Sequence, residues 1–517
     1  MTQPSVLILL AVALAVLAGV TLTRVSSVPA PVLYVLAGLA VSYAPGMEAL
    51  RLPPHVVFYG FLPPLLYHAA FFTSPRETRQ QALPIGTLAL GLVVATLFAV
   101  GLAVGAAVGP LGTAGAFVLG AVLGPTDPVA ATAVIRRVGA PERLQAILEG
   151  ESLVNDGVGL VAFTIALAAA ASGRFSVSHA FVEFLRVAGG GVALGLVLGF
   201  VVEHVRRRVH DVEIEILISL LTPYVAYVPA ERAHVSGVLA VVACGVYLGW
   251  NSGGIFRPEV RLQSAAFWSV FEFLLTSVLF VLLGMQFPSV VGALGGYSPW
   301  SLVWWSLATA GIVAVVRMAW MFTVPYLIAA LPPMRSWREV APWRDRVVLG
   351  WSGMRGAVSL AAALSITSAV AHRELVLFLT FTTILAGLVL QGIPLPWLLR
   401  RLGVGVAEGM TRREADARLE AARAALRRLE ELSEQDWVTV ELLVPVRELY
   451  EQRLARLEAQ AEPEREGPRL GDYRRLQREL IDAQRDTLAR LGRDGEVATE
   501  TARRIERELD LEEARLR

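Results

Sequence analysis

Two short strings place carboxylates where few chains carry them. Gly124-Pro125-Thr126-Asp127-Pro128 lies inside an apolar stretch, and Glu151-Ser152-Leu153-Val154-Asn155-Asp156-Gly157 follows about twenty-five residues later, again between apolar segments. Ionisable groups at bilayer depth are costly and face a partner, a cavity or an ion path. Prolines flanking a Thr-Asp pair break a helix, and broken backbone at that depth is tolerated only where it lines a cavity or is buried in protein. In the second string Ser152 and Asp156 are four residues apart, as are Glu151 and Asn155. Helical spacing puts Ser152 and Asp156 on one face, with Asn155 adjacent. A carboxylate, a hydroxyl and nearby amide or carbonyl oxygens suit a hard cation such as Na⁺. Burial disfavours the charged form of a carboxylate and a bound cation favours it. One aspartate can therefore hold either a proton or a cation, and that competition is exchange. The alternative for Asp156 is a carboxylate locked in a buried ion pair.

The remaining charges need partners. Arg317 and Arg355 are the arginines deep within otherwise apolar segments, and Glu151 paired with Arg317 would join two helices. Such a pair is structural in one reading and part of transport in the other. Arg355 lies in a second weak point of helical order, Gly350-Trp351-Ser352-Gly353-Met354-Arg355-Gly356. Paired interruptions at matching positions of two repeats mark transporter sites near the midplane. Two broken helices crossing there present half-helix ends of opposite partial charge. Asp127 can offset the N-terminal ends and Arg355 the C-terminal ones. A helix-end or lipid-interface arginine is the plainer reading of Arg355.

The elements that must position these groups follow from composition. Of 517 residues, 55% are hydrophobic, and the mean hydropathy is +0.56. That is too apolar for a soluble protein of this length and demands many membrane helices. Thirteen apolar segments stand out, at about 4–23, 27–44, 55–72, 82–109, 112–136, 143–171, 179–205, 212–229, 234–250, 264–287, 298–331, 345–370 and 374–399. Several exceed the roughly 20 residues a span needs, which predicts tilt. If spans 1–6 and 8–13 are inverted repeats, both interruptions fall at the fifth helix of their repeat. With the N-terminus outside, the cytoplasmic connections hold seventeen arginines and the outer ones only Arg51, Arg174, Arg232 and Arg373. This bias supports an odd number of spans with the C-terminus inside. The first segment lacks a positive flank before it and reads as a retained helix.

The net charge of +1 hides an asymmetry: residues 1–402 are apolar and 403–517 are dense in Arg and Glu. The second part reads as a cytoplasmic tail of helices, with apolar residues such as Leu419, Ala422, Leu426 and Leu429 at helical spacing. Pro463, Gly467, Pro468 and Gly471 interrupt it. Folding back or coiled-coil pairing is expected, and either a solvated, dimer-stabilising tail or a regulatory sensor fits. Every basic residue is Arg, with no Lys, and the single cysteine, Cys244, lies in an apolar run, which leaves no disulfide.

The strings GPTDPVAATAV, LEGESLVNDG, FVLLGMQF and GWSGMRGAVSLAAAL resemble those of the monovalent cation:proton antiporters. The similar branch holds bacterial and archaeal sodium/proton antiporters and animal sodium/proton exchangers, in the bacterial form with a helical cytoplasmic tail. The resemblance covers about residues 1–400. It implies an all-α polytopic membrane protein of thirteen helices, inverted repeats with two broken crossing helices, a homodimer, and an elevator-like motion. It implies Asp156 as the ion- and proton-binding carboxylate, Asn155 as its neighbour in the Asn-Asp pair, and Ser152 and Thr126 as further Na⁺ ligands. Asp127 and Arg355 resemble the helix-break compensators, and Glu151 with Arg317 the stabilising pair. An Asn-Asp pair resembles the electroneutral branch, one cation for one proton. No cofactor is implied beyond the transported Na⁺ and H⁺, and no nucleic acid. The place is the cell membrane.

One departure stands in Leu62-Pro63-Pro64-Leu65-Leu66-Tyr67-His68, where many relatives carry an acid in place of His68. Histidine titrates near neutral pH and binds Na⁺ poorly once protonated. His68 can tune pH dependence, alter cation choice among Na⁺, Li⁺ and K⁺, or satisfy a local hydrogen bond. A K⁺/H⁺ antiporter is the same-class alternative. A channel is disfavoured because no filter-like loop appears. An intramembrane enzyme is disfavoured because no HExxH string is present and Ser152 has no histidine base in its own span.

Overall fold

A computed structural model of the chain describes residues 3–25, 28–44, 53, 55–209, 211–255, 258–330, 341–366, 370–405, 412–435, 438–461, 469–493, 505 and 509. Arg51, Arg257, Arg335, Arg338, Pro463, Gly467 and Pro468, which entered the sequence reading, lie outside these residues. The described residues are helical and contain no strand, and the chain divides into two compact units, Met1–Gly405 and Val406–Arg517.

The first unit runs α1 (Gln3–Val25), α2 (Ala30–Ser42), α3 (Leu62–Phe71), α4 (Pro75–Gln80), α5 (Ala82–Gly86), α6 (Val93–Ala107), α7 (Gly112–Leu123), α8 (Val129–Val138) and α9 (Glu142–Ser172). It continues through α10 (Val177–Arg206), α11 (Val212–Arg232), α12 (Gly237–Ile255), α13 (Pro258–Gly292), α14 (Pro299–Ala330), α15 (Trp343–Trp351), α16 (Ala357–Leu364), α17 (Arg373–Ala386) and α18 (Leu395–Leu402). Seven helical runs are long and apolar enough to cross a bilayer unaided, and five shorter apolar helices accompany them. With the interrupted pair α15–α16 they occupy the thirteen apolar segments, so the protein is an all-α polytopic membrane protein.

Three stretches wind wider than an α-helix, as π-helix: Val56–Phe61 before α3, Thr87–Leu92 between α5 and α6, and Gly387–Gly392 after α17. Such turns shift the register of everything beyond them and are frequent at functional sites.

Close packing uses small residues, as expected where lipid removes the hydrophobic drive between helices. At the α2–α13 crossing, Gly38 sits against the backbone of Val281 and Gly284 against that of Val35, so a Cβ at either would strike main chain. The buried cores are apolar and built mainly of Val, Leu and Ala. A buried polar set joins α3, α10 and α11, where Arg206 Nε donates to Glu215 Oε2 at 2.8 Å and Nη1 to the Tyr67 hydroxyl at 3.4 Å.

The second unit contains α19 (Arg412–Ser433), α20 (Val440–Ala461) and α21 (Arg469–Arg493). α19 and α20 pack against each other across a short connection, with Leu419 and Ala422 buried and Arg423 donating to Glu458 at 3.1 Å. That pair is exposed and contributes little. The burial of Leu419 and Ala422 carries more of the packing.

Candidate functional site: two broken helices, a buried ion pair and a cavity

The two interruptions meet. α7 stops at Leu123 and α8 starts at Val129, while α15 stops at Trp351 and α16 starts at Ala357. Asp127 N–H donates to the carbonyl of Met354 at 2.8 Å, a backbone bond directly between the breaks. Half-helix ends leave unpaired N–H and C=O groups that need partners. Asp127 Oδ1 accepts from Val129 N–H at 2.9 Å, at the start of α8. Arg355 Nε donates to the carbonyl of Leu123 at 3.1 Å, at the end of α7, and its Nη1 donates to Gly353 O. The carboxylate therefore lies at a positive helix end and the guanidinium at a negative one. Arg355 is 2% exposed, which is buried and unlike a lipid-interface arginine.

The crossing requires a glycine. A Cβ at Gly356 would collide with the Asp127 carboxylate. Gly356→Ala is expected to destabilise the protein by about 1–3 kcal/mol through overpacking and to impair exchange with it. Thermal unfolding in detergent checks this, and an unchanged midpoint would count against so tight a crossing.

Glu151 and Arg317 are brought together by α9 and α14. Arg317 Nη2 donates to Glu151 Oε2 at 2.7 Å, Nη1 to Oε1, and Nε to the carbonyl of Leu349 in α15 at 3.0 Å. Both side chains are about 1% exposed. Thr126 extends the set, since its hydroxyl donates to Glu151 Oε1 at 2.9 Å and accepts from Asn155 Nδ2 at 2.8 Å. α9 thus carries two stripes. Glu151 and Asn155 turn toward Thr126 and Arg317, while Gln145, Glu149, Ser152 and Asp156 line a cavity. Asn155 groups with Glu151, four residues back, through Thr126, beside the Ser152–Asp156 face. Its Oδ1 is buried and has no hydrogen-bond partner.

The cavity holds about 370 Å³ and reaches from a rim at Arg136 and Glu149 to Asp156. Thr126 and Asp127 also line it. At the rim Arg136 Nη2 donates to Glu149 at 2.7 Å and Gln145 Nε2 donates to the same oxygen at 2.9 Å. Asp156 is 7% exposed. Among the described residues it has no ion pair and no hydrogen bond, unlike Glu151.

His68 lies on the same cavity, with Glu272 of α13 opposite at 3.5 Å. Sequence reasoning passed over Glu272. Its signal was present, a lone acid between Phe271 and Phe273 in the apolar segment 264–287.

The sodium/hydrogen exchanger transmembrane family model matches residues 10–401. The chain belongs to that family. An uncharacterized Na⁺/H⁺ exchanger of Mycobacterium tuberculosis is 32% identical over 98% of the exchanger and 96% of its own length. A sodium, potassium, lithium and rubidium/H⁺ antiporter of Bacillus pumilus is 32% identical over 79% of the exchanger and 63% of its own length. The solved structure of the sodium proton antiporter MjNhaP1 from Methanocaldococcus jannaschii superposes with a TM-score of 0.60 at 19% identity, covering 77% of the exchanger and 99% of that chain. The fold is therefore that of the sodium proton antiporters, and the exchanger is a multi-pass monovalent cation:proton antiporter.

Proposed function

We propose that the exchanger binds Na⁺ and H⁺ alternately at Asp156, one for one, by alternating access. One observation carries this reading. Asp156 ends a cavity, is buried, and has no partner among the described residues, whereas Glu151 five residues earlier is tied to Arg317. An unpaired carboxylate in such a place stays neutral by holding a proton or is neutralised by a cation. Ser152, one turn earlier on the same face, supplies a hydroxyl to a dehydrating Na⁺.

Thr126 has a second share in this proposal beside the one its motif implied. Its hydroxyl links Asn155 to Glu151, so it holds the Asn-Asp pair against the Glu151–Arg317 anchor and offers the ion its remaining lone pair or backbone oxygen. Asp127 and Arg355 keep the crossing neutral, so that the charge at Asp156 alone decides occupancy.

The arginine bias puts the Arg136 rim on the cytoplasmic side. The cavity then opens inward, with the N-terminus outside and residues 403–517 in the cytoplasm. A homodimer with an elevator-like motion belongs to the same reading and rests on family likeness. The Bacillus pumilus relative's name includes potassium, which supports keeping K⁺ among the cations to be tried.

Proteoliposomes containing a pH-sensitive dye test the proposal. Na⁺, Li⁺ or K⁺ is added in turn, with and without a clamped membrane potential. Cation-driven proton flux insensitive to potential is expected. Flux that follows the potential would overturn the one-for-one ratio.

A further inference from the structure

The cavity carries a second carboxylate that the exchange step at Asp156 does not use. Trp268, Glu272 and Thr276 recur every fourth residue along α13 and so share a face. Glu272 and Thr276 both line the cavity. The Glu272 side chain is 38% exposed, so cavity solvent reaches it.

His68 is held opposite. Its ring stacks on Trp268 with centroids 5.8 Å apart and planes at 24°, and Phe72 packs on it at 4.8 Å. Trp268 is itself fixed, 1% exposed and donating through Nε1 to the Ser219 hydroxyl at 3.0 Å. The 3.5 Å from His68 Nδ1 to Glu272 Oε2 is long for a charge-assisted hydrogen bond. It matches the spacing of two adjacent ligands about 2.4 Å from one cation in octahedral geometry, roughly 3.4 Å.

The charges facing this space are Asp127, Arg136, Glu149, Asp156 and Glu272. Arg136 is paired with Glu149, so the balance favours a cation.

A separate observation points to a ligand. Ser359 lines the same cavity, is 1% exposed, and its hydroxyl has no hydrogen-bond partner. Some buried hydroxyls back-bond to the helix, as Thr380 does to Val376 O at 2.9 Å and Thr383 to Leu379 O at 2.7 Å; Thr96, Ser277 and Ser352 are buried without a partner as Ser359 is, but they do not line the cavity. Ser359 lies in the first turn of α16, just after the break, where no helical carbonyl stands four residues behind it. A buried hydroxyl without a partner is costly. A passing cation would satisfy it.

We propose that Glu272 with Thr276 and His68 forms a second, outer station for the transported monovalent cation, and that Ser359 is a ligand on the way from it to Asp156. This rests on the reading of Asp156 as the inner site. The outer carboxylate concentrates the cation and contributes to the choice among cations, while Asp156 couples it to the proton.

The test uses the full exchanger, with radioactive Na⁺ binding in detergent and Na⁺-dependent flux in proteoliposomes. Glu272→Gln is expected to raise half-saturating Na⁺ about tenfold, the lower end of what a charged cleft adds to local counter-ion concentration. The maximal rate should stay within about twofold, as for a loss of uniform binding. Ser359→Ala should shift half-saturation in the same direction and Ser359→Thr should restore it. Asp156→Asn should keep a weak saturable Na⁺ site that vanishes when Glu272→Gln is added. Unchanged half-saturation in Glu272→Gln, or no residual binding in folded Asp156→Asn, would overturn the outer station. Exchange persisting in Asp156→Asn would instead overturn the inner site, whatever Glu272 does.

Discussion

Asp156→Ala is expected to reduce cation-dependent proton flux to the background of empty liposomes while leaving a folded, monodisperse protein. The carboxylate is 7% exposed and has no ion pair or hydrogen bond among the described residues. Its removal therefore strands no buried partner, and the stability change should stay within about 1 kcal/mol or be favourable, as at other function-strained sites. Ligand linkage gives a second readout. Na⁺ at 100 times its dissociation constant stabilises the binding-competent protein by about 2.7 kcal/mol. The wild-type thermal midpoint should rise with Na⁺, and most of that rise should disappear in the variant. Retained exchange would sink the assignment of Asp156. A variant that fails to fold would point to a structural role for it.

Arg317→Ala should produce the opposite pattern, a folding defect larger than its functional logic requires. Arg317 is fully buried and donates to both oxygens of Glu151 and to Leu349 O. Taking away one member of a buried pair leaves an uncompensated charge, at about 3–5 kcal/mol. That is a large share of a stability of about 5–15 kcal/mol. Poor expression and a lowered thermal midpoint are expected. Adding Glu151→Gln removes the stranded charge and keeps an acceptor for Thr126, so the double variant should recover part of the loss. A stable, monodisperse Arg317→Ala protein would show that the pair does not hold α9 to α14.

Much of this arrangement was readable beforehand, for identifiable reasons. Charges in apolar segments have few possible partners, and that scarcity leads from Glu151 to Arg317. The prolines around Thr126-Asp127 and the glycines around Arg355 mark both breaks. Other features leave no such trace. The π-wound stretches at Val56–Phe61, Thr87–Leu92 and Gly387–Gly392 contain ordinary apolar residues, and neither composition nor period distinguishes them from α-helix. The two stripes of α9, by contrast, are legible in the spacing, since Glu151 and Asn155 stand four residues apart as Ser152 and Asp156 do. Successive helical residues are about 100° apart, so Asn155 falls in with Glu151. The bonds from Thr126 to Glu151 and Asn155 could not be read from its motif, because a hydroxyl's hydrogen-bond partners depend on distant residues that only the fold brings near. Glu272 had a visible signal, but its partner His68 lies about two hundred residues away and no spacing rule joins them.

The bond from Asp127 N–H to Met354 O and the one from Arg355 to Leu123 O, which spans 232 residues, also bear on how the chain is made. At roughly 5–20 residues per second, synthesis needs about 10–50 s to pass from the first break to the second. Through that interval the nascent first half must hold Asp127 and the open end of α7 without the groups that finally satisfy them. Water, the insertion machinery or delayed entry of the α7–α8 segment into the lipid must serve until the second half arrives. The crossing of the two breaks is thus among the last parts of the protein to be completed, and a chain truncated before Arg355 should be retained at a quality-control step rather than merely lack transport.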